Sequence, residues 1–171
     1  MFRLLAAAGT AAVLSLAAPT AAFAFGGDQS LARGDVSEIV SGGNWHVSFD
    51  IQDHDHGWNS SVTVRDPVET FSFSGALCTG TYHDPVHGGT SVYIVGPRTW
   101  YRGPGGVDNE PFYAFKVHQS GPFSADYSWV DVGLSSASAA RGACANPAGT
   151  LSAAYYPLDS SHVVFDLHRH H

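Results

Sequence analysis

The chain has 171 residues and a formal net charge of −7, and only 13% of its residues are charged, against about 25% in typical soluble proteins. This length favours one globular domain, and the composition excludes a coiled coil or a highly charged disordered tail. The excess of acidic residues disfavours nucleic acid and anionic membranes as partners. With 19 Gly and 9 Pro residues, the composition indicates many turns and short strands rather than long helices.

The first 24 residues have the pattern of a secretory signal peptide. Arg3 supplies the positive start, residues 4–16 form an apolar run, and Ala22–Ala24 offers small residues for cleavage. Pro19 interrupts the run before it reaches the roughly 20 residues that a membrane-spanning helix needs. We therefore expect cleavage after residue 24, and residues 25–171 form a single secreted domain with no membrane span.

Period-two alternation of apolar and polar residues dominates the rest of the chain. The clearest case is residues 44–51, whose apolar face carries Trp45, Val47, Phe49 and Ile51. Further strands are predicted at residues 34–40, 60–65, 68–74, 90–95, 112–119, 123–134, 150–156 and 162–168, with one short helical candidate at 135–141. The pattern predicts an all-β fold, an antiparallel β-sandwich (immunoglobulin-like or similar) of eight or nine short strands, with an eight-stranded β-barrel as the alternative.

The parity within these strands also predicts which side chains face inward. Trp45 and Trp129 are expected in the core, and Glu69 shares a face with Phe71 and Phe73. In the strand at 112–119, Tyr113, Phe115 and Val117 share one face and alternate with the face of His118, which is expected in solvent.

The chain has two cysteines, Cys78 and Cys144. In an exported protein an even number of cysteines predicts a disulfide, and two cysteines allow only one intramolecular pairing. A reactive thiol is disfavoured because neither cysteine lies in a Cys-x-x-Cys motif.

The common catalytic motifs are absent from the sequence, among them Gly-x-Ser-x-Gly, Ser-x-x-Lys, His-Glu-x-x-His and the dinucleotide-binding glycine pattern. We therefore expect a binding protein rather than an enzyme.

Histidines clustered with carboxylates are the most distinctive chemical feature. One cluster contains Asp53, His54 and His56, and a second contains His83 and His87. Imidazole and carboxylate are ligands of zinc and copper, and ligands two residues apart on an extended segment point the same way. The sequence predicts a transition-metal site formed by these five residues.

Three other interpretations of the clusters remain open. Aspartate favours turns, so the histidines can simply decorate solvated loops. Neighbouring carboxylates would raise the pKa of histidine and allow pH sensing. A zinc ion with an open coordination position would make the same cluster a hydrolase.

A second candidate site is the segment 96–106, interpreted as a Gly/Pro-rich connection. Its binding residues would be Arg98, Trp100, Tyr101 and Arg102. Aromatic and arginine side chains are enriched at binding hot spots, and exposed rings also suit carbohydrate stacking. The predicted function is therefore a small secreted binding protein for a metal, a small ligand or an extracellular protein, with an interaction or inhibitor module as the alternative.

Overall fold

The computed structural model describes residues 30–40, 43–85, 87–103, 110–121, 127–152, 156–158 and 162–165. The predicted signal peptide, residues 1–24, lies outside these residues. None of the helices in this part of the chain has the length and apolar content needed to cross a membrane.

The described residues form ten strands, two α-helices and one 3-10 helix. The strands are β1 (Ser30–Val40), β2 (Gly43–Gln52), β3 (Ser61–Arg65), β4 (Thr70–Ser74), β5 (Cys78–His83), β6 (Thr90–Arg102), β7 (Phe112–Gln119), β8 (Tyr127–Leu134), β9 (Tyr156–Leu158) and β10 (Val163–Phe165). The 3-10 helix (His54–Asn59) follows β2, and the helices α1 (Ala137–Ala145) and α2 (Pro147–Thr150) follow β8. The all-β prediction is confirmed.

The strands pair antiparallel in the order β10-β1-β2-β3-β4-β6-β7-β8-β9, with β5 beside β6. This path nearly closes on itself, because β1 also contacts β9. The described strands therefore form one nearly closed, barrel-like sheet of ten strands, which is closer to the predicted barrel alternative of eight strands than to two separate sheets.

The long strand β6 connects the two halves of this sheet. Residues 90–95 lie between β5 and β7, residues 96 and 97 pair with β7 alone, and the part that begins at Arg98 pairs with β4. Where the partners change, a Cβ on Gly96 would lie 2.5 Å from the carbonyl oxygen of Gly75, so only glycine fits this close approach.

The main core fills the interior of the sheet. The inward faces of β2, β4 and β7 supply Val47, Phe49, Ile51, Phe71, Phe73, Tyr113, Phe115 and Val117, and β8 adds Trp129. The predicted inward faces of β2 and β7 are confirmed, as is the core position of Trp129, which is 1% exposed.

A second, smaller core lies on the outer face of β6, β7 and β8 beneath α1. It contains Val95, Ala114, Val130, Leu134, Ala140, Ala143 and Leu151. The predicted disulfide between Cys78 and Cys144 is present and attaches α1 to β5. Ser136 caps α1, since its side chain accepts a hydrogen bond from the backbone N–H of Ala139.

Three elements differ from the sequence prediction. β5 was not predicted, because Thr79 and Tyr82 alone give little hydrophobic pattern. Residues 98–102 are strand rather than connection, since pairing with β4 outweighs their Gly/Pro-rich surroundings. Residues 147–150 form α2 where a strand was expected to begin, and Asn146 caps that helix through the N–H of Gly149.

Removal of the disulfide should destabilise the fold. We expect the double variant Cys78→Ala/Cys144→Ala to lose about 2–4 kcal/mol of unfolding free energy, because the cross-link restricts the unfolded chain. Urea unfolding followed by tryptophan fluorescence measures the loss, and the reduced wild-type protein should match the double variant. An unchanged unfolding midpoint in both samples would contradict this expectation.

Candidate functional site

A cavity of about 300 Å³ opens at one end of the barrel-like sheet. Its lining includes three carboxylates and three aromatic rings: Asp66, Glu69, Asp131, Trp45, Phe71 and Tyr156. We call this cavity the end pocket. Concave sites at the mouths of barrels are common positions for small-molecule binding.

The turn between β3 and β4 places the first two carboxylates. Asp66 Oδ1 accepts hydrogen bonds from the backbone N–H groups of Val68, at 2.7 Å, and Glu69, at 2.6 Å. The Asp66 N–H donates to the carbonyl oxygen of Glu69 at 2.9 Å. This self-capped turn fixes the backbone of both acidic residues at the rim of the pocket.

Glu69 is held further by the neighbouring strand, β6. The hydroxyl of Tyr101 donates to Glu69 Oε2 at 2.9 Å, and the Arg98 guanidinium lies 5.3 Å from the centre of the Tyr101 ring. The carboxylate of Glu69 therefore has a fixed position on the inward side of the rim.

Asp131 lies deeper, on the inward face of β8. It follows Trp129 by two residues and pairs across strands with the core residue Phe115. Burial, with the carboxylates of Glu69 and Asp66 nearby, raises the pKa of Asp131 to about 7.

A fourth carboxylate lies near this end of the barrel. A Cβ on Gly133 would lie 1.5 Å from Glu110 Oε2, so the absence of a side chain at Gly133 leaves the room that Glu110 occupies. Glu110 also contributes to the raised pKa of Asp131. The barrel end therefore concentrates negative charge.

The other wall of the end pocket is aromatic. The rings of Trp45 and Tyr156 stack with centroids 5.3 Å apart, and Trp129 lies 5.1 Å from Tyr156 and 5.6 Å from Trp45. Phe71 stacks on Tyr113 with centroids 4.2 Å apart. These ring contacts restrict the aromatic side chains of this wall.

A shallower groove of about 550 Å³ lies on the other side of the β3–β4 turn. It shares Asp66 and Glu69 with the end pocket and adds Arg65, Trp100 and Arg102. Of the four predicted binding residues in the 98–102 segment, Trp100 and Arg102 are exposed, and the Trp100 side chain is 49% exposed. Tyr101 instead packs against the main core.

The structure gives the first histidine cluster a local role. Asp53 caps the 3-10 helix: its Oδ1 accepts from the backbone N–H of His56 at 3.1 Å and lies 2.9 Å from His56 Nδ1. The side chain of His54 lies outside the described part of the structure.

The second cluster repeats this arrangement. Asp84 Oδ1 accepts from the backbone N–H of His87 at 3.0 Å and lies 3.4 Å from His87 Nδ1. Gly88 and Gly89 complete this turn with φ near +70°, which favours glycine. His83 ends β5 with its side chain exposed. Both Asp-x-x-His segments therefore build turns, which supports the local interpretation of these residues.

The two histidine clusters lie at different ends of β5. The 3-10 helix packs on the start of this strand, where a Cβ on Gly57 would lie 3.2 Å from Thr79 Oγ1. His83 follows Thr79 by four residues, about 13 Å along an extended strand. Among the described side chains, no group of three His, Cys, Asp or Glu residues has the arrangement of a metal site. Metal binding by these loops stays a prediction.

A separate polar cluster lies on the outer face of β5, β6 and β7, beneath the turn that contains Asp84. Lys116, the only lysine in the sequence, is 0% exposed, and its Nζ lies 3.4 Å from Asp84 Oδ2. His118 is 2% exposed, with Ser91 Oγ 3.0 Å from its Nδ1, so the expected solvent position of His118 is wrong. Burial lowers the pKa of both Lys116 and His118.

Neither Asp131 nor Lys116 was predicted from the sequence as a functional residue. The signal for Asp131 was present, because a carboxylate two residues from an inward tryptophan must face the interior. Glu69 was correctly placed on the face of Phe71 and Phe73, although that position was not interpreted as a site. No comparable signal existed for Lys116, since the covering turn and helices are brought over it only by the tertiary fold.

The raised pKa of Asp131 predicts a pH-dependent loss of stability. The unfolded carboxyl ionises near pH 4, whereas the folded one retains its proton until about pH 7. The folded state thus binds more protons between these values, and stability falls as the pH rises through this window. We expect Asp131→Asn to stabilise the fold at pH 8 by about 1–3 kcal/mol, since each pKa unit corresponds to about 1.4 kcal/mol before screening.

The increase in unfolding free energy caused by Asp131→Asn should be much smaller at pH 4.5 than at pH 8. Urea unfolding at both pH values measures this difference. Asp55→Asn is the matched control, because Asp55 is an exposed carboxylate at the other end of the barrel. Equal effects of Asp131→Asn at pH 4.5 and pH 8 would contradict the assignment.

The metal prediction has its own test. If the His/Asp loops bind zinc or copper, protein purified without a metal column should contain one equivalent by elemental analysis, and His54→Ala should lose it. A chelator should then lower the melting temperature. Metal-free protein with an unchanged melting temperature would refute both the metal site and the zinc-hydrolase alternative.

Comparison with known proteins adds no further assignment. No protein-family model matches the chain, and neither a curated protein nor a solved structure matches it.

Proposed function

We propose that this chain is a non-catalytic binding protein whose end pocket takes a compact organic cation, such as a quaternary ammonium or a protonated amine. The observation that carries this proposal is the meeting of carboxylates and aromatic rings in one cavity. Carboxylates attract a cation by charge, and aromatic faces attract it through the ring quadrupole.

The electrostatics of the pocket favour a positive ligand. Asp131 lies among like charges from Glu69, Asp66 and Glu110, and its raised pKa reflects burial first and their repulsion second. A cation placed among these groups would relieve the repulsion and favour the ionised form of Asp131. Strongly perturbed groups in a cleft are characteristic of functional sites.

The size and rigidity of the pocket favour a compact ligand. A volume of about 300 Å³ lies at the lower end of the range for small-molecule sites. The stacked Trp45 and Tyr156 rings and the hydrogen-bonded Glu69 lose little conformational freedom on binding, which favours affinity.

Export from the cytosol belongs to the same proposal. The Cys78–Cys144 disulfide supports it, because disulfides persist in oxidising compartments. The leader pattern in residues 1–24 points the same way.

A second candidate is an extracellular interaction or inhibitor module that uses the groove. The exposed Trp100 ring and the guanidinium of Arg102 in that groove favour it. Trp100→Ala distinguishes the two functions, since it should weaken protein contacts and leave cation binding in the end pocket intact.

Titration with tetramethylammonium, followed by NMR shifts or calorimetry, tests the cation proposal. We expect saturable binding that is about five- to tenfold tighter at pH 8 than at pH 6, because ionised Asp131 supplies part of the attraction. Asp131→Asn should weaken binding at pH 8 by about tenfold, equivalent to about 1.4 kcal/mol.

Two controls isolate the charge. A neutral tert-butyl compound of similar shape should bind more weakly than the ammonium ion, and Asp55→Asn should bind like the wild type. Absence of saturable binding, or equal binding of the neutral compound, would refute the proposal.

A further inference from the structure

Lys116 and Asp84 form a buried pair that is separate from the end pocket, whose lining includes neither residue. The two residues are 32 positions apart in sequence, and Nζ of Lys116 lies 3.4 Å from Asp84 Oδ2. Lys116 is 0% exposed and Asp84 is 4% exposed. The amine and the carboxyl are therefore held in contact in a nearly dry environment.

Their surroundings orient the amine. Lys116 Nζ donates to the carbonyl oxygen of Leu151, and it lies 5.8 Å from the centre of the Tyr82 ring. Burial lowers the pKa of Lys116, although the nearby Asp84 opposes this shift. The dry environment favours the neutral, nucleophilic amine, whereas the Tyr82 ring fixes its position.

The carboxyl is oriented as well. Oδ2 of Asp84 faces the amine, whereas Oδ1 accepts from the backbone N–H of His87 at 3.0 Å and lies 3.4 Å from His87 Nδ1. A charge that develops on Oδ1 would therefore meet a fixed donor, which is the requirement for stabilising an oxyanion.

We propose that Lys116 and Asp84 form an intramolecular amide bond, which cross-links β7 to the turn after β5 with the release of one water molecule. A proton passes from the ammonium of Lys116 to Oδ2, which leaves a neutral amine and a carboxylic acid. Nζ attacks Cγ, and negative charge collects on Oδ1 beside the His87 N–H. The new C–N bond remains when the C–Oδ2 bond breaks, and Oδ2 leaves as water with a second proton from the nitrogen.

Proximity and burial favour the product. Fixed contact between the reacting groups gives effective concentrations far above those of free solutes. A buried ion pair bears a desolvation penalty that its mutual attraction often fails to repay, whereas an amide is neutral. No metal, oxidant or other co-reactant is required.

Mass spectrometry of the reduced, alkylated and denatured full chain tests the bond. We expect the wild-type protein to be lighter than its sequence mass by one water molecule, and tandem spectra should show a branched peptide that joins Lys116 to Asp84. Lys116→Met and Asp84→Ala should have their full sequence masses. His83→Ala, next to the pair but outside it, should keep the loss of water.

Wild-type protein at its full sequence mass would overturn the proposal and leave the pair as an ion pair. Loss of water that persists in both Lys116→Met and Asp84→Ala would overturn it too, since the water would come from elsewhere. Because the wild-type mass and the branched peptide decide the question, the outcome does not depend on whether the variants fold.

Discussion

The change of partners within β6 is the constraint on which the rest of the fold depends. One continuous strand pairs with β5 and β7 over its first part and with β4 over its last. Gly96 permits the close approach to Gly75 at the transition, and Pro97 follows it, where the ring fixes φ and removes a donor. Without this transition the two halves of the sheet would not share a rim, and Tyr101 would not reach Glu69.

The described residues place buried ionisable groups in two different environments. On the outer face, the amine of Lys116 contacts the carboxyl group of Asp84 and donates a hydrogen bond to the carbonyl oxygen of Leu151. At the end pocket, Asp131 lies among other carboxylates. A protein keeps such repulsive groupings at a cost to its stability, and function is the usual reason.

Much of the framework could be predicted from the sequence. Alternation alone identifies β2 and the inward face of β7, because each strand has one buried side. Two cysteines in a chain with a leader pattern predict the disulfide, and the inward position of Glu69 follows from its parity with Phe71. These inferences succeed because they depend on local periodicity or on simple pairing.

The failures have a common physical origin. Gly and Pro near residue 97 favour a connection locally, yet long-range pairing with β4 makes that segment a strand. His118 was expected in solvent because a strand has two faces and only one was assigned to the core. The helices and the turn at Asp84 cover the second face. The alternation of residues within β7 does not indicate that this face is covered.

The burial of Lys116 has a practical consequence for amine chemistry. Since it is the only lysine and is 0% exposed, acylating reagents directed at primary amines meet no side-chain target on the folded protein. A fluorophore or biotin ester would attach to the terminal α-amine alone, so a uniformly single-labelled preparation is accessible without engineering. For the same reason, lysine-directed cross-linkers would not connect a lysine side chain of the folded protein to a neighbouring protein.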